Sequence, residues 1–226
     1  MKIGILQTGR SPDETQEKHG DYGAFFMNYL GGRGFEFENY PVLDGVFPTS
    51  PKDADGWLIT GSRFGVYEGH AWIAPLEDFL RETYALGTPI VGICFGHQIL
   101  AQALGGKIEK FEGGWSVGPA KYTSERFGDQ NIIAWHKDQV VKRPDEATVV
   151  GSSAFCENAI LVYGNKALTI QPHPEFTGEF LTALLQTRGK ALPDDIRENA
   201  AKRAGEDLTS ASFADHIEKF FKADRP

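Results

Sequence analysis

Apolar and polar positions along the chain alternate in short blocks that predict strands separated by helices. Strand-like blocks lie at 2–7, 35–40, 55–62, 89–93 and 167–171. Apolar residues at helical spacing predict helices over 21–30, 72–86, 98–104 and 175–186. Because strands alternate with helices, we expect an open, mostly parallel, doubly wound α/β sheet. Ligands of such sheets bind beyond the carboxyl ends of the strands.

The region between the third helix and the last core strand has a different pattern. Short strands with polar turns are predicted at 107–111, 118–123, 132–135, 147–152 and 159–163. We therefore expect a small antiparallel β excursion from the parallel sheet. The polar stretch 8–20 is predicted to be a loop. His136 and Asp138 are two residues apart, but no further Cys/His cluster supports them, so a structural turn and no metal are predicted.

The last forty residues or so are charged and helical in outline. One short helix is predicted after Pro193, and a second begins near Ser212. The second has an apolar stripe that is expected to dock on the core. We therefore predict a domain over 1–187 and a C-terminal helical extension over 188–226, packed on that domain.

Composition and charge argue against several classes of protein. The formal net charge of −8 argues against a nucleic-acid partner, and no apolar run has the length of a membrane span. The first residues predict a strand rather than a signal peptide. Two cysteines in 226 residues indicate a reducing compartment, so a cytoplasmic location is expected.

The candidate chemistry starts at residues 91–98, Val-Gly-Ile-Cys-Phe-Gly-His-Gln. A short buried strand is followed by a helix, and glycines stand two residues before and two after Cys94. This is the pattern of a nucleophile elbow with cysteine in place of serine. The turn would place the sulfur at a helix N-terminus, where thiolate is favoured over thiol. The alternative interpretation is a small buried cysteine with a purely structural role.

A base for Cys94 is found in residues 171–175, Gln-Pro-His-Pro-Glu. Each proline directs the residue before it into an extended conformation, so Gln171 to His173 should be extended. Side chains two residues apart then share a face, which would let Glu175 orient the ring of His173. Cys94, His173 and Glu175 thus make a candidate Cys-His-acid triad. A surface turn is the plainer interpretation of the second motif.

In this order, the two motifs resemble those of the class I (triad) glutamine amidotransferase family. The resemblance is nearest to the glutaminase domain of GMP synthase and its freestanding relatives, and it spans roughly residues 1–187. It implies a flavodoxin-like α/β fold and hydrolysis of the side-chain amide of glutamine through a cysteine thioester. It implies no cofactor.

An oxyanion at the substrate carbonyl needs two fixed N–H donors. The residue after the nucleophile, Phe95, would supply one. The resemblance places the other in the loop after the third strand, at Ser62, where many family members have glycine. It also implies that Gly61 and Gln98 shape the γ-glutamyl pocket. Arg63 is available to a second carboxylate, which favours a ligand larger than glutamine.

The main prediction is therefore a glutamine amidotransferase-like hydrolase that acts on glutamine or a small γ-glutamyl molecule. One alternative is a γ-glutamyl peptidase with the same acyl chemistry. Others are a PfpI-type cysteine hydrolase, which would not predict His173-Pro174-Glu175, and a non-catalytic regulatory module. No nucleotide-binding motif follows the glutaminase-like region, so an unidentified synthetase or acceptor partner stays open.

Overall fold

The computed structural model describes residues 1–225 and contains one central sheet flanked by helices. The strands are β1 Lys2–Leu6, β2 Glu36–Tyr40, β3 Gly56–Ile59, β4 Ile90–Ile93, β5 Lys107–Lys110, β6 Ser116–Tyr122, β7 Gln130–His136, β8 Asp138–Lys142, β9 Thr148–Gly151, β10 Ile160–Tyr163 and β11 Ala167–Ile170. The helices are α1 Asp13–His19, α2 Tyr22–Tyr29, α3 Ile73–Leu86, α4 Phe95–Ala103, α5 Gly178–Arg188, α6 Asp194–Arg203 and α7 Ser210–Lys222.

The central sheet has the strand order β2-β1-β3-β4-β11-β10-β9. Strands β2, β1, β3, β4 and β11 are parallel; β10 pairs antiparallel with β11, and β9 pairs antiparallel with β10. The predicted fold class, a mostly parallel doubly wound α/β sheet with an antiparallel part, is confirmed. Leu6 pairs with Ile59, and Ile170 pairs with Ile93, so the four central strands end at one edge.

Side chains alternate between the two faces of the sheet and form two core clusters. Trp57 packs on one face with Leu76 of α3 and Ile99 of α4. Leu58 points to the other face, where α7 contributes Phe213 and Ile217, both fully buried. The apolar stripe of the last helix therefore docks on the core, because it covers a sheet face that would otherwise be exposed. The predicted boundary between 187 and 188 stays a prediction.

The structure corrects the predicted loop at 8–20, which contains α1. This helix follows Pro12, carries Asp13 and Glu14 in its first turn, and has Lys18 and His19 in its last turn. These charges complement the helix dipole. The helix also packs on α5, where Lys18 pairs with Glu179.

The antiparallel excursion is smaller than predicted. Among residues 1–225, only the pairs β5–β8 and β6–β7 leave the central sheet, while β9 and β10 extend it. The reason is burial: all four residues of β10 are buried, and they pair with β11 on one side. Asp138 is not in a turn, since it begins β8 and pairs with Lys110. The helix after His173 begins at Gly178, where the side chain of Thr177 accepts the N–H of Phe180.

Candidate active site

Cys94 forms the sharp turn between β4 and α4. Among residues 1–225, it is the one non-glycine residue with positive φ, at φ 52° and ψ −101°. A Cβ on Gly92 would lie 2.5 Å from the carbonyl oxygen of Gly96, and one on Gly96 would lie 2.5 Å from that of Ile59. Both glycines are thus required by close backbone contacts. Strain of this kind persists where surrounding structure holds it and is frequent at functional sites.

The helix α4 begins directly at Phe95, so the side chain of Cys94 stands at its N-terminus. The first N–H groups of a helix have no intrahelical acceptor, and the helix dipole favours negative charge there. The N–H of Cys94 itself is bonded to the carbonyl of Ile170, at 2.9 Å. The residue is 6% exposed, and its side chain lines a cavity.

His173 is held in place by backbone, ring and carboxylate contacts. Its N–H donates to the carbonyl of Ile133 over 2.8 Å, and its ring stacks on Phe176 with centroids 4.0 Å apart. Nδ1 lies 2.7 Å from Oε1 of Glu175, as the spacing of the two residues predicts. Nε2 is therefore the nitrogen that is left for the thiol. A Cβ on Gly61 would lie 2.7 Å from the His173 ring and 3.7 Å from Cβ of Cys94, so Gly61 adjoins both residues.

The charge state of His173 follows from its neighbours. Burial lowers its pKa, but the charges of Glu175 and Cys94 and their hydrogen bonds to the ring outweigh this effect. The pKa is raised from 6.5 to about 10. The side chain of Glu175 is 2% exposed, which strengthens its interaction with the ring. An imidazolium beside the sulfur favours a thiolate.

The loop that should supply the second oxyanion donor is firmly held. The hydroxyl of Thr8 donates to the carbonyl of Gly61 over 3.2 Å, and the Thr60 hydroxyl also donates to it. The hydroxyl of Ser62 accepts the N–H of Phe64 over 3.2 Å. Ser62 lines the same cavity as Cys94. Its role, like that of Phe95, stays a prediction.

Gln98 and Arg63 also lie at the cavity. The amide nitrogen of Gln98 donates to the carbonyl of Asp138 over 2.9 Å and to Oε1 of Gln171 over 3.1 Å. Its carbonyl oxygen is thus the part left for a ligand. Arg63 is exposed, and its guanidinium lies 4.8 Å from the centre of the Phe64 ring.

The cavity has a volume of about 680 Å³. Sequence reasoning missed these parts of its wall: Tyr22, Lys110, Leu184, Arg188, Lys190 and Leu192. These residues come from separate segments of the chain and belong to no recognisable sequence motif. His136 and Asp138 also line it. Burial lowers the pKa of His136 to about 3, so this ring is neutral.

Within residues 1–225, no three His, Cys, Asp or Glu side chains are grouped as a metal ion would need. In the same part of the chain, no helix has the length and apolar character to cross a membrane.

Comparison with known proteins identifies the family. The model described as Glutamine amidotransferase class-I matches residues 27–187. A protein of Arabidopsis thaliana named gamma-glutamyl peptidase 2 is 28% identical, over 88% of this chain and 86% of its own length. A putative glutamine amidotransferase-like protein of Schizosaccharomyces pombe is 32% identical, over 96% of this chain and 97% of its own.

The fold also resembles that of a solved glutamine amidotransferase. The crystal structure of a glutamine amidotransferase from Thermotoga maritima superposes with a TM-score of 0.75 and 20% identity, and it covers 98% of each chain. The predicted enzyme class is confirmed by these matches together. The chain belongs to the class I glutamine amidotransferase family.

Proposed function

We propose that the protein hydrolyses γ-glutamyl amides through the triad Cys94, His173 and Glu175 and a thioester intermediate. The observation that carries this proposal is the position of His173. It is buried between the carboxylate of Glu175, at 2.7 Å, and the strained cysteine turn. A nucleophile, a base and an orienting acid are thereby assembled from two separate segments.

The proposed reaction has two halves. The sulfur of Cys94 attacks the γ-carbonyl carbon, and the N–H groups of Phe95 and Ser62 bind the oxyanion. His173, which is protonated in the free enzyme, gives its proton to the departing nitrogen, so an amine leaves and a γ-glutamyl thioester remains. Water then loses a proton to His173 and attacks the thioester carbonyl. Glutamate leaves, the sulfur departs as thiolate, and the proton taken from water stays on His173, so the starting state is restored.

One end of the cavity suits the head of a γ-glutamyl group, which carries an α-ammonium and an α-carboxylate. We call it the head end and define it by Gln98 and four charged residues of both signs at the cavity wall: Glu68, Lys110, Lys137 and Asp138. Asp138 is fixed by the hydroxyl of Tyr67 at 2.7 Å. We assign Glu68 and Asp138 to the α-ammonium of the substrate, and Lys110 and Lys137 to its α-carboxylate.

The size of the cavity favours a substrate larger than glutamine. Cavities of about 300–1,000 Å³ enclose drug-sized ligands, and 680 Å³ lies well inside that range. The similarity to gamma-glutamyl peptidase 2 supports the same choice. We therefore propose γ-glutamyl peptides as substrates that the enzyme hydrolyses by itself. Both cysteines are free and buried, which supports a place in the reducing cytoplasm.

The test is kcat/KM of the purified protein for glutamine and for γ-glutamyl dipeptides, with mass spectrometry of Cys94 after rapid quenching. We expect turnover of the dipeptides without a partner and a γ-glutamyl adduct on Cys94. Low activity on every γ-glutamyl compound that rises only with an added cell fraction would instead favour an amidotransferase subunit with a synthetase partner. No adduct under any condition would contradict the thioester.

A further inference from the structure

The second end of the cavity differs from the head end in chemistry. It is formed around α5 and is called the leaving-group end here: Tyr22, Trp115, Trp135, Phe176, Leu184, Arg188, Lys190 and Leu192. The aromatic and aliphatic members pack in one hydrophobic cluster. Glu68 and Asp138, the two acidic residues of the described cavity wall, both belong to the head end. The leaving-group end is thus apolar and positively charged.

The position of His173 determines which part of a substrate occupies this end. In the proposed mechanism, His173 protonates the departing nitrogen, so the amine must lie on the side of its ring. That ring stacks on Phe176 at 4.0 Å, and Phe176 packs on Tyr22 with ring centroids 6.3 Å apart. Gln98, by contrast, links Cys94's own helix to Asp138 at the head end. The leaving amine is therefore directed over Phe176 and towards Tyr22.

Arg188 is the charged group that this amine would meet. Its guanidinium is oriented by two contacts: Nη2 donates to the carbonyl of Arg10 over 3.0 Å, and Nη1 to the hydroxyl of Tyr22 over 3.5 Å. Arg188 is half-buried, yet no carboxylate within residues 1–225 forms an ion pair with it.

A partly buried guanidinium without an anion has lost solvation that no ion pair replaces. Its planar donors match a carboxylate in a bidentate arrangement. In a chain with a net charge of −8, such an unpaired cation at the wall of the cavity that contains Cys94 and His173 indicates that the ligand supplies the anion.

We propose that Arg188 determines specificity by binding a carboxylate on the amine side of the scissile bond. The inference rests on the proposed function and refines it. Preferred substrates are γ-glutamyl compounds whose leaving amine carries a carboxylate next to an apolar side chain. Arg188 binds the carboxylate, while Phe176, Leu184 and Leu192 provide apolar surface for the side chain.

The experiment compares γ-glutamylphenylalanine with γ-glutamylphenethylamide, which has the same leaving amine without its carboxylate. We expect the wild-type enzyme to prefer the dipeptide in kcat/KM. The ratio of the two values should fall about 10- to 100-fold in Arg188→Gln, the range that a hydrogen-bonded ion pair contributes. Arg188→Lys should give an intermediate ratio, because it keeps the charge but loses the planar pair of donors that binds a carboxylate in a bidentate arrangement.

Lys190→Gln is the matched control, since it removes the same charge from an exposed residue of the same end. Its ratio should change by about fivefold or less. Equal wild-type rates on the two compounds would overturn the assignment even where Arg188→Gln does not fold. An equal effect of Lys190→Gln and Arg188→Gln would overturn it as well. Hydrolysis of neither compound, with no adduct on Cys94, would instead refute the proposed function itself.

Discussion

Cys94 and Cys156 are both buried thiols, but their surroundings at the scale of single residues are different. Burial raises the pKa of Cys156 to about 12, with a smaller contribution from Glu157, so this thiol stays protonated. Cys94 stands at a helix N-terminus beside the protonated ring of His173. In the proposed mechanism, the first thiol reacts and the second only packs in the core.

We expect Cys94→Ser to abolish hydrolysis while the protein stays folded, because a hydroxyl beside His173 is far less ionised than a thiol. Cys156→Ser, the matched control, should keep nearly full activity. Release of glutamate from a γ-glutamyl dipeptide measures both variants, and circular dichroism checks the fold. Substantial turnover by Cys94→Ser would contradict the mechanism.

Glu175 gives a prediction about pH. Its carboxylate helps to raise the pKa of His173 to about 10, so the ring should remain a proton donor well above neutral pH. In Glu175→Gln the charge is lost, and the pKa of His173 should fall. The alkaline decline of kcat/KM should then move to lower pH, with a moderate loss of rate at neutral pH. An unchanged alkaline limb would show that Glu175 does not set the charge of the ring.

At the scale of elements, the junction of β4 and α4 depends on backbone contacts that leave no room for a side chain. Gly96→Ala would place a Cβ 2.5 Å from the carbonyl oxygen of Ile59, on the neighbouring strand β3. We expect a loss of about 1–3 kcal/mol in the free energy of unfolding, as for other overpacked positions.

Urea unfolding with Gly205→Ala as the control tests this expectation. A Cβ at Gly205 would meet no atom within 4 Å. Its substitution should leave stability within about 0.5 kcal/mol of wild type. Equal stability of the two variants would mean that the turn can relax without cost.

At the scale of the whole molecule, two buried histidines make stability depend on pH. Burial lowers the pKa of His97 and of His136 from 6.5 to about 3. The unfolded chain takes up protons near 6.5 while the folded protein does not. The stabilisation is therefore fully present above about pH 6.5 and is lost as the pH falls towards 3.

The free energy of unfolding should thus decrease by about 1.4 kcal/mol per pH unit for each histidine below pH 6. His97→Asn should show a shallower decrease than wild type, since one buried ring is gone. Urea unfolding at pH 7 and pH 5 measures both slopes. Identical slopes would contradict the prediction.

Much of the site was predictable because its signals are local. The glycines around Cys94 and the prolines around His173 restrict the backbone within a few residues, so the turn and the His173–Glu175 pair could be predicted from sequence. The alternation of apolar blocks likewise predicted the parallel sheet, since each buried strand needs apolar residues on both faces.

The tertiary structure alone decided the rest of the cavity. Tyr22 of α2 and Arg188 of α5 meet at its wall although they lie 166 positions apart in the chain. Each looks like an ordinary core or surface residue by itself, and only the packing of its element gives it a role. The same holds for β9 and β10, whose place in the central sheet depends on the pairing of β10 with β11 and of β9 with β10, and not on their own pattern. Local backbone chemistry therefore determined the proposed reacting groups, whereas long-range packing determined the cavity in which a substrate would bind.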